Sequence, residues 1–129
     1  MSPHVLIVED DDILRDIYSV KFELEGFAVT AAEDGIAGLE QAALQQPDLI
    51  ILDMLMPRLG GMEFLRRIRA KHGHLHAKIL VASNKSNAES IAEAKSLGAA
   101  DYLIKSQLTP EDIVNRARRH LDGSPAQTI

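Results

Sequence analysis

Acidic residues follow two apolar runs of the sequence. Glu9 and Asp10 come directly after residues 5–8, and Asp53 comes directly after residues 49–52. Carboxylates that meet within a few ångströms raise one another's pKa values unless a cation neutralises them. A hard divalent cation such as Mg²⁺ (or Mn²⁺) prefers oxygen ligands of this kind. These acids are therefore candidate metal ligands, provided that the fold brings them together.

A serine and a lysine follow two further apolar runs. Ser83 comes after residues 79–82, and Lys105 comes after residues 102–104. A carboxylate flanked by a metal ion, an ammonium group and a hydroxyl is well prepared to attack phosphorus, because phosphoryl transfer needs mainly positioning and charge neutralisation. Aspartyl phosphates are known covalent intermediates. The chemistry expected where these segments converge is phosphoryl transfer to Asp53.

The elements that must position these residues alternate along the chain. Short apolar runs, too short for helices, predict strands at residues 5–8, 27–31, 49–52, 79–82 and 102–104. Between and after them, apolar residues recur at helical spacing and mark five helices: Ile13, Ile17, Val20 and Leu24; Ile36, Leu39 and Ala43; Met62, Leu65 and Ile68; Ile91, Ala94 and Leu97; Ile113, Ala117 and Leu121. Thr109 and Pro110 are typical of the N-cap and first position of the last helix.

Five strand–helix units in succession predict an α/β fold with a parallel sheet covered by helices on both faces. The strand order 2-1-3-4-5 is the economical arrangement, with the alternating second strand at an edge and the apolar third strand in the centre. In such sheets, ligands bind beyond the carboxyl ends of the strands, at the point where strand order reverses. That edge is where Glu9, Asp10, Asp53, Ser83 and Lys105 are predicted to meet.

Composition narrows the class of protein. The 129 residues fit one domain, expected over residues 3–122, with residues 123–129 as a flexible tail or linker stub. A net charge of −5 argues against a nucleic-acid-binding surface, and the absence of cysteine excludes disulfides and thiol chemistry. No apolar stretch approaches the roughly 20 residues that span a bilayer, and no secretory signal is visible. We expect a cytoplasmic protein without membrane contact.

From residue 3 to residue 121 the sequence resembles the receiver domain of two-component response regulators. The matching motifs, in order, are Val8-Glu9-Asp10-Asp11, Leu52-Asp53-Met54-Leu55-Met56-Pro57, Gly60-Gly61, Ser83, Gly98-Ala99-Ala100-Asp101-Tyr102 and Lys105. Each motif is common alone, but their order and spacing together are highly specific. The resemblance implies a flavodoxin-like (βα)₅ three-layer sandwich and a phosphorylation-dependent switch in a two-component phosphorelay.

The resemblance also implies a role for each matching residue. Asp53 would be the phosphoacceptor, and the metal would be held by Asp10, Asp53 and the Leu55 backbone carbonyl, with Glu9 acting largely through water. Lys105 would pair with the phosphoryl oxygens. Ser83 would shift to hydrogen-bond one of those oxygens, and Tyr102 would swing inward into the space that Ser83 vacates.

Partners are implied in the same way. A sensor histidine kinase or phosphotransfer protein would supply the phosphoryl group, and a downstream protein would bind the face made by the fourth helix, fifth strand and fifth helix. Direct nucleic-acid contact is not expected, and the domain would be a monomer or a homodimer enhanced by phosphorylation. It would not be a conventional enzyme, since it would catalyse only its own phosphotransfer and autodephosphorylation.

One residue departs from the family pattern. Receiver domains usually have a proline after the lysine, often with a cis peptide bond, and this chain has Ser106 there. A cis bond to a non-proline residue costs roughly 3–4 kcal/mol. We therefore expect the bond between Lys105 and Ser106 to be trans, or else strained.

Several motifs have a second interpretation. Asp11 and Asp12 are either metal ligands or, as we favour, caps of the first helix. His72, His74 and His76 resemble a metal-binding tract but are also typical of an exposed loop at a helix end. Arg116, Arg118 and Arg119 are either a solvated helix face or partners in a dimer. Tyr102 could simply cover the sheet edge.

Two other functional classes are compatible with the fold. A degenerate receiver would keep the fold without being phosphorylated, but all five positions of the site are retained here. A flavin-binding electron carrier would need amides and hydroxyls after the first strand to bind phosphate, where this chain has residues 9–12, all acidic. A yellow colour of the protein would favour the flavin-binding alternative.

Overall fold

The computed structural model describes residues 2–72 and 76–122, with the side chain of His72 left out. The five strands are β1 (His4–Val8), β2 (Ala28–Ala32), β3 (Leu49–Leu52), β4 (Lys78–Ser83) and β5 (Asp101–Ile104). The five α-helices are α1 (Asp12–Leu24), α2 (Gly35–Gln45), α3 (Gly61–His72), α4 (Ala88–Ser96) and α5 (Pro110–Asp122). A short 3₁₀ helix (Lys105–Gln107) follows β5. The predicted alternation of strands and helices is confirmed.

The strands form one parallel sheet in the order β2-β1-β3-β4-β5, as predicted. All side chains of β3 are buried, because this central strand is covered on both faces. The edge strand β2 is mostly exposed or half-buried, which agrees with its weaker apolar pattern. Since every strand runs in the same direction, the residues after β1, β3, β4 and β5 all emerge at one edge.

Two apolar clusters sandwich the sheet, because successive side chains of a strand point to opposite faces. On one face, Leu6, Ile50 and Val81 pack with residues of α2, α3 and α4 such as Phe64. On the other face, Ile7 and Ile51 pack with residues of α1 and α5. The molecule is therefore the three-layer sandwich that the sequence predicts.

The start of α5 is a capping box. The Thr109 hydroxyl accepts a hydrogen bond from the Asp112 amide at 3.1 Å, and the Asp112 carboxylate accepts one from the Thr109 amide at 2.9 Å. Two backbone donors at the helix end are satisfied in this way. The predicted helix start at Thr109 and Pro110 is confirmed.

The apolar residues whose spacing predicts α1 do not face the core. Ile13, Ile17, Val20 and Leu24 have helical spacing, but they lie on the solvent side, with Ile13 72% and Leu24 76% exposed. The helix buries Tyr18 and Phe22 instead, and the Phe22 ring packs edge-on against Phe27 at 4.9 Å between centroids. Both stripes satisfy the helical period. The buried stripe carries two aromatic rings, each of which contributes a large apolar area to the core.

In α2, too, the apolar residues whose spacing predicts the helix are not the buried ones. Ile36 and Ala43 are exposed, whereas the helix buries Gly35, Gly38 and Ala42. Gly38 lies so close to Val8 and Phe64 that an added Cβ would stand 2.9 Å from a Val8 methyl group. Small residues on this face let α2 approach the sheet closely. For α3, α4 and α5 the predicted core residues are buried or half-buried, as expected.

Candidate functional site

Three carboxylates meet at the carboxyl edge of the sheet. One oxygen each from Glu9, Asp10 and Asp53 can be chosen so that all three lie within 4.8 Å of one another, and theirs is the only such group among residues 2–72 and 76–122. Glu9 and Asp53 are 3% and 7% exposed, while Asp10 faces solvent. The predicted convergence of these acids is present in the structure.

The sheet itself fixes the backbone of the two buried acids. The Glu9 amide donates to the Ala32 carbonyl at 3.1 Å, and the Asp53 amide donates to the Val8 carbonyl at 3.0 Å. These bonds continue the strand pairing one residue beyond β1 and β3. Glu9 and Asp53 are therefore held on rigid elements although they stand outside the strands.

Lys105 brings a positive charge to this group from the end of β5. Its ammonium pairs with Glu9 Oε1 and lies 3.2 Å from Asp53 Oδ2. The three side chains are each less than a tenth exposed. One ammonium faces three carboxylates here, so the site has an excess of negative charge when all four groups are ionised.

Burial and the neighbouring charges together shift the pKa values of Glu9 and Lys105. Burial, together with the nearby charge of Asp53, raises the pKa of Glu9 to about 7 even though Lys105 opposes the shift. Burial by itself would lower the pKa of Lys105, but the hydrogen bond to Glu9 and the charges of Asp53 and Glu9 raise it. Lys105 therefore remains a cation, and Glu9 binds a proton more readily than an ordinary glutamate does.

The loop after β3 orients Asp53. Asp53 Oδ1 accepts a hydrogen bond from the Met54 amide at 2.7 Å, and the Leu55 amide lies 3.5 Å from the same oxygen. The loop closes where the Gly61 amide donates to the Met54 carbonyl at 3.0 Å. A Cβ on Gly61 would collide with the Asp53 carbonyl oxygen, so α3 can start this close to the site only with glycine there.

Ser83 and Tyr102 both bind the backbone of Lys85, which lies in the loop after β4. The Ser83 hydroxyl accepts a hydrogen bond from the Lys85 amide at 3.2 Å, and the Tyr102 hydroxyl donates to the Lys85 carbonyl. Ser83 is fully buried and Tyr102 is 9% exposed. Tyr102 thus lies inward in this structure. The movements implied for these two residues stay predictions.

Comparison with known proteins identifies the family. A profile described as "Response regulator receiver domain" matches residues 5–118. The chain belongs to this family.

Similar proteins come from several bacteria. The chain is 37% identical over 102 residues to transcriptional regulatory protein CseB of Streptomyces coelicolor, covering 79% of this chain and 42% of that protein. It is 36% identical over 118 residues to response regulator MprA of Mycobacterium ulcerans, covering 92% and 50%. The receiver domain thus spans about half the length of the curated relatives it matches.

Solved structures share its fold. Chemotaxis protein CheY4 of Vibrio cholerae superposes with a TM-score of 0.85 at 29% identity, covering 92% of this chain and 98% of that one. The receiver domain of Francisella response regulator 1452 superposes with a TM-score of 0.86 at 26% identity, covering 96% of this chain and all of the other.

These relatives bear on the expected partners. Since several are named as transcriptional regulators, the prediction that the protein does not contact nucleic acid is not supported.

The sequence analysis also led us to expect no membrane contact. Within the described part of the chain, no helix is long and apolar enough to cross a bilayer.

The bond between Lys105 and Ser106 is trans, as are all peptide bonds of the described residues. The strain considered for a cis bond therefore does not arise in this receiver domain. Lys105 begins the 3₁₀ helix, and the Lys105 carbonyl accepts a hydrogen bond from the Leu108 amide at 3.3 Å.

The two aspartates after Asp10 have helix-forming roles. Asp11 Oδ1 accepts hydrogen bonds from the Ile13 and Leu14 amides at 2.9 and 3.0 Å, which caps α1 as favoured from the sequence. Asp12 pairs with Arg15.

Two arginines make contacts near the site that the sequence did not predict. Arg15 donates to the Glu9 carbonyl at 2.9 Å and so braces the acidic loop. Arg58 pairs with the buried Asp34, which caps α2 by accepting a hydrogen bond from the Ala37 amide at 2.9 Å. That amide, with Arg58, lowers the pKa of Asp34 although burial opposes the shift. Residue spacing gives no signal for pairs between loops.

The remaining polar motifs, where the structure describes them, form contacts away from the site. His76 contacts Asp48 at 3.0 Å, while His74 and the side chain of His72 are outside the described part of the chain. Arg116 and Arg118 form ion pairs within the chain, with Asp101 and Glu25 respectively. Residues 123–129, expected to be a tail, are also outside the described part.

Proposed function

We propose that this receiver domain accepts a phosphoryl group on Asp53 from a histidine kinase or phosphotransfer protein. The convergence of Glu9, Asp10, Asp53 and Lys105 carries the proposal, because it places an oriented carboxylate between further acids and an ammonium. Membership of the receiver-domain family supports the same role.

The acidic group suits Mg²⁺. Its donors are hard carboxylate oxygens, which Mg²⁺ prefers, and its excess negative charge is what a divalent cation would neutralise. Asp10 and Asp53 would bind directly, with the Leu55 carbonyl as a further ligand and Glu9 acting largely through water. When bound, Mg²⁺ would supply positive charge to the phosphoryl oxygens.

The transfer itself needs little from the protein beyond position and charge. An Asp53 oxygen forms a bond to phosphorus while the P–N bond to the donor histidine breaks, and the leaving imidazole keeps the electron pair. No base is required, because the nucleophile is already a carboxylate. The Lys105 ammonium stabilises the charge on the phosphoryl oxygens. Autodephosphorylation would be the attack of water on the same phosphorus, which restores Asp53 and releases phosphate.

The conformational change caused by phosphorylation would reach the protein surface through the backbone of Lys85. A shift of the Ser83 hydroxyl toward a phosphoryl oxygen would release the Lys85 amide, and the Tyr102 hydroxyl is bonded to the carbonyl of the same residue. Lys85 stands three residues before α4, so its backbone can transmit the change to the surface of α4, β5 and α5. A downstream protein would bind there, and phosphorylation would favour one of two conformations.

Incubation with acetyl phosphate and Mg²⁺, followed by intact-protein mass measurement, tests the proposal. Wild type should gain one base-labile phosphoryl group, and Asp53→Asn should gain none. Asp48→Asn is the matched control, because Asp48 lies at the opposite edge of the sheet, and it should be labelled like wild type. Labelling of Asp53→Asn at the wild-type rate, or full labelling of wild type in EDTA, would exclude the mechanism.

A further inference from the structure

We propose that Asn84 is a positioning residue for Lys105, acting through the backbone of Ser106. The Ser106 amide donates a hydrogen bond to Asn84 Oδ1 at 2.8 Å. This bond joins the segment that carries Lys105 to the segment that carries Ser83, 22 residues earlier in the chain. The inference rests on the proposed function, since it assigns Asn84 to the same phosphoryl-transfer site.

The hydrogen bond between Ser106 and Asn84 lies just beyond the end of the paired strands. The pairing of β4 with β5 ends at Ser83 and Ile104. Asn84 and Lys105 are the next residues on the two strands. The bond from Ser106 to Asn84 therefore connects the two segments just beyond their last paired residues.

Both polar groups of one peptide unit are bound at this point. The unit consists of the Lys105 carbonyl and the Ser106 amide. The carbonyl accepts a hydrogen bond from the Leu108 amide at 3.3 Å, and the amide donates to Asn84. Together these bonds fix the orientation of the peptide plane that follows Lys105. The orientation of that plane sets the direction in which the Lys105 side chain leaves the backbone toward Glu9 and Asp53.

The departure of Ser106 from the family pattern makes this bond possible. A prolyl nitrogen in a peptide bond carries no hydrogen and cannot donate. Ser106 supplies an N–H at the position where the resemblance leads one to expect proline, and Asn84 supplies the acceptor. In this chain a side-chain hydrogen bond thus restrains the backbone next to Lys105.

Four variants test the inference by their rate of phosphorylation with acetyl phosphate and Mg²⁺. Asn84→Ala removes the acceptor and Ser106→Pro removes the donor, and each should lower the rate about three- to tenfold, the range for one net hydrogen bond. The double variant should be no slower than the slower single variant, because both changes remove the same bond. Ser106→Ala retains the N–H and should therefore be phosphorylated at the wild-type rate.

Two further readouts separate positioning from general loss of structure. Mg²⁺ affinity should be unchanged in Asn84→Ala, because the proposed ligands do not include Lys105. Hydrogen exchange of the Ser106 amide, followed by NMR, should be roughly tenfold faster in Asn84→Ala than in wild type. This exchange measurement tests the bond even if Asp53 is never phosphorylated, so failure of the proposed function can be told apart from failure of this inference.

The inference is overturned if Asn84→Ala is phosphorylated at the wild-type rate, whatever happens to the amide exchange. Unchanged exchange of the Ser106 amide in Asn84→Ala would also overturn it. So would multiplicative effects of the two single changes, since independent effects mean that they do not act through one bond.

Discussion

Carboxylates lie at both edges of the sheet, but the hydrogen-bond donors and charges around them differ between the two edges. At the amino edge, Asp48 accepts a hydrogen bond from the His4 amide at 2.8 Å and contacts His76. At the carboxyl edge, Glu9, Asp10 and Asp53 lie together, and the Lys105 ammonium pairs with Glu9 and Asp53. The pKa values differ accordingly, because the His4 amide and His76 lower that of Asp48 while burial raises that of Glu9.

Asp101, also at the amino edge, strengthens the contrast. It accepts hydrogen bonds from the Tyr102 amide at 2.9 Å and from Arg116 at 3.2 Å, and it contacts His120 at 2.9 Å. Acids that stabilise the fold are thus matched by donors and cations. At the candidate site the Lys105 ammonium pairs with two of the three acids, so negative charge remains in excess, and a bound cation would balance it. Excess negative charge thus distinguishes the carboxyl edge from the amino edge.

The largest expected effect comes from removing the Lys105 ammonium, which pairs with Glu9 and Asp53. Lys105→Met should lower the rate of phosphorylation by acetyl phosphate by about 100-fold or more, because a preorganised charge on the transferring group is lost. Lys95→Met, on the exposed surface of α4, is the control and should keep the wild-type rate. If Lys105→Met remained within threefold of wild type, the ammonium would have no special role at this edge.

A smaller effect distinguishes the two edges by pH. In metal-free protein the pKa of Glu9 is raised from 4.5 to about 7, so the folded state binds the proton more tightly than the unfolded state. The resulting stabilisation is fully present below about pH 4.5 and is lost as pH rises through about 7. Relative to Glu9→Gln, the free energy of unfolding of wild type should therefore fall over this window, by at most about 1.4 kcal/mol per pH unit.

Asp48 should show the opposite dependence, because its pKa is lowered from 3.8. Its stabilisation is present above pH 3.8 and is lost as pH falls through the lowered pKa of the folded state. Asp48→Asn should cost about 1 kcal/mol at neutral pH, a modest value because the side chain is partly solvated, and this cost should vanish in acid. Urea unfolding across pH checks both variants, and slopes of the same sign would contradict the comparison.

Much of the fold could be predicted because parallel α/β topology leaves few alternatives. Five apolar runs separated by helical segments predict a parallel sheet, for which the order 2-1-3-4-5 is the economical arrangement. Parallel strands bring Glu9, Asp53, Ser83 and Lys105 to one edge. The choice of buried face was harder. In α1 two apolar stripes fit the helical period, and only packing against Phe27 and the sheet selects the one with Tyr18 and Phe22.

The residues that converge at the candidate site could be predicted from the sequence, but the contacts between them could not. The sequence indicates that Lys105 approaches Asp53, yet not that it also pairs with Glu9, because this depends on the path of a long side chain past the end of the sheet. Arg15, Arg58 and Asn84 were missed for the same reason. Each contacts a loop whose conformation depends on several residues at once, and no periodic pattern encodes such a contact.

Binding of Mg²⁺ to the metal-free protein would show whether the excess negative charge at the carboxyl edge forms a cation site. The chain has no tryptophan, so calorimetry or NMR should follow the titration. We predict one site, lost or strongly weakened in Asp10→Asn and retained in Asp12→Asn. Mg²⁺ at 100 times its Kd should raise the free energy of unfolding by about 2.7 kcal/mol. Absence of binding by wild type, or equal binding by Asp10→Asn, would contradict the account.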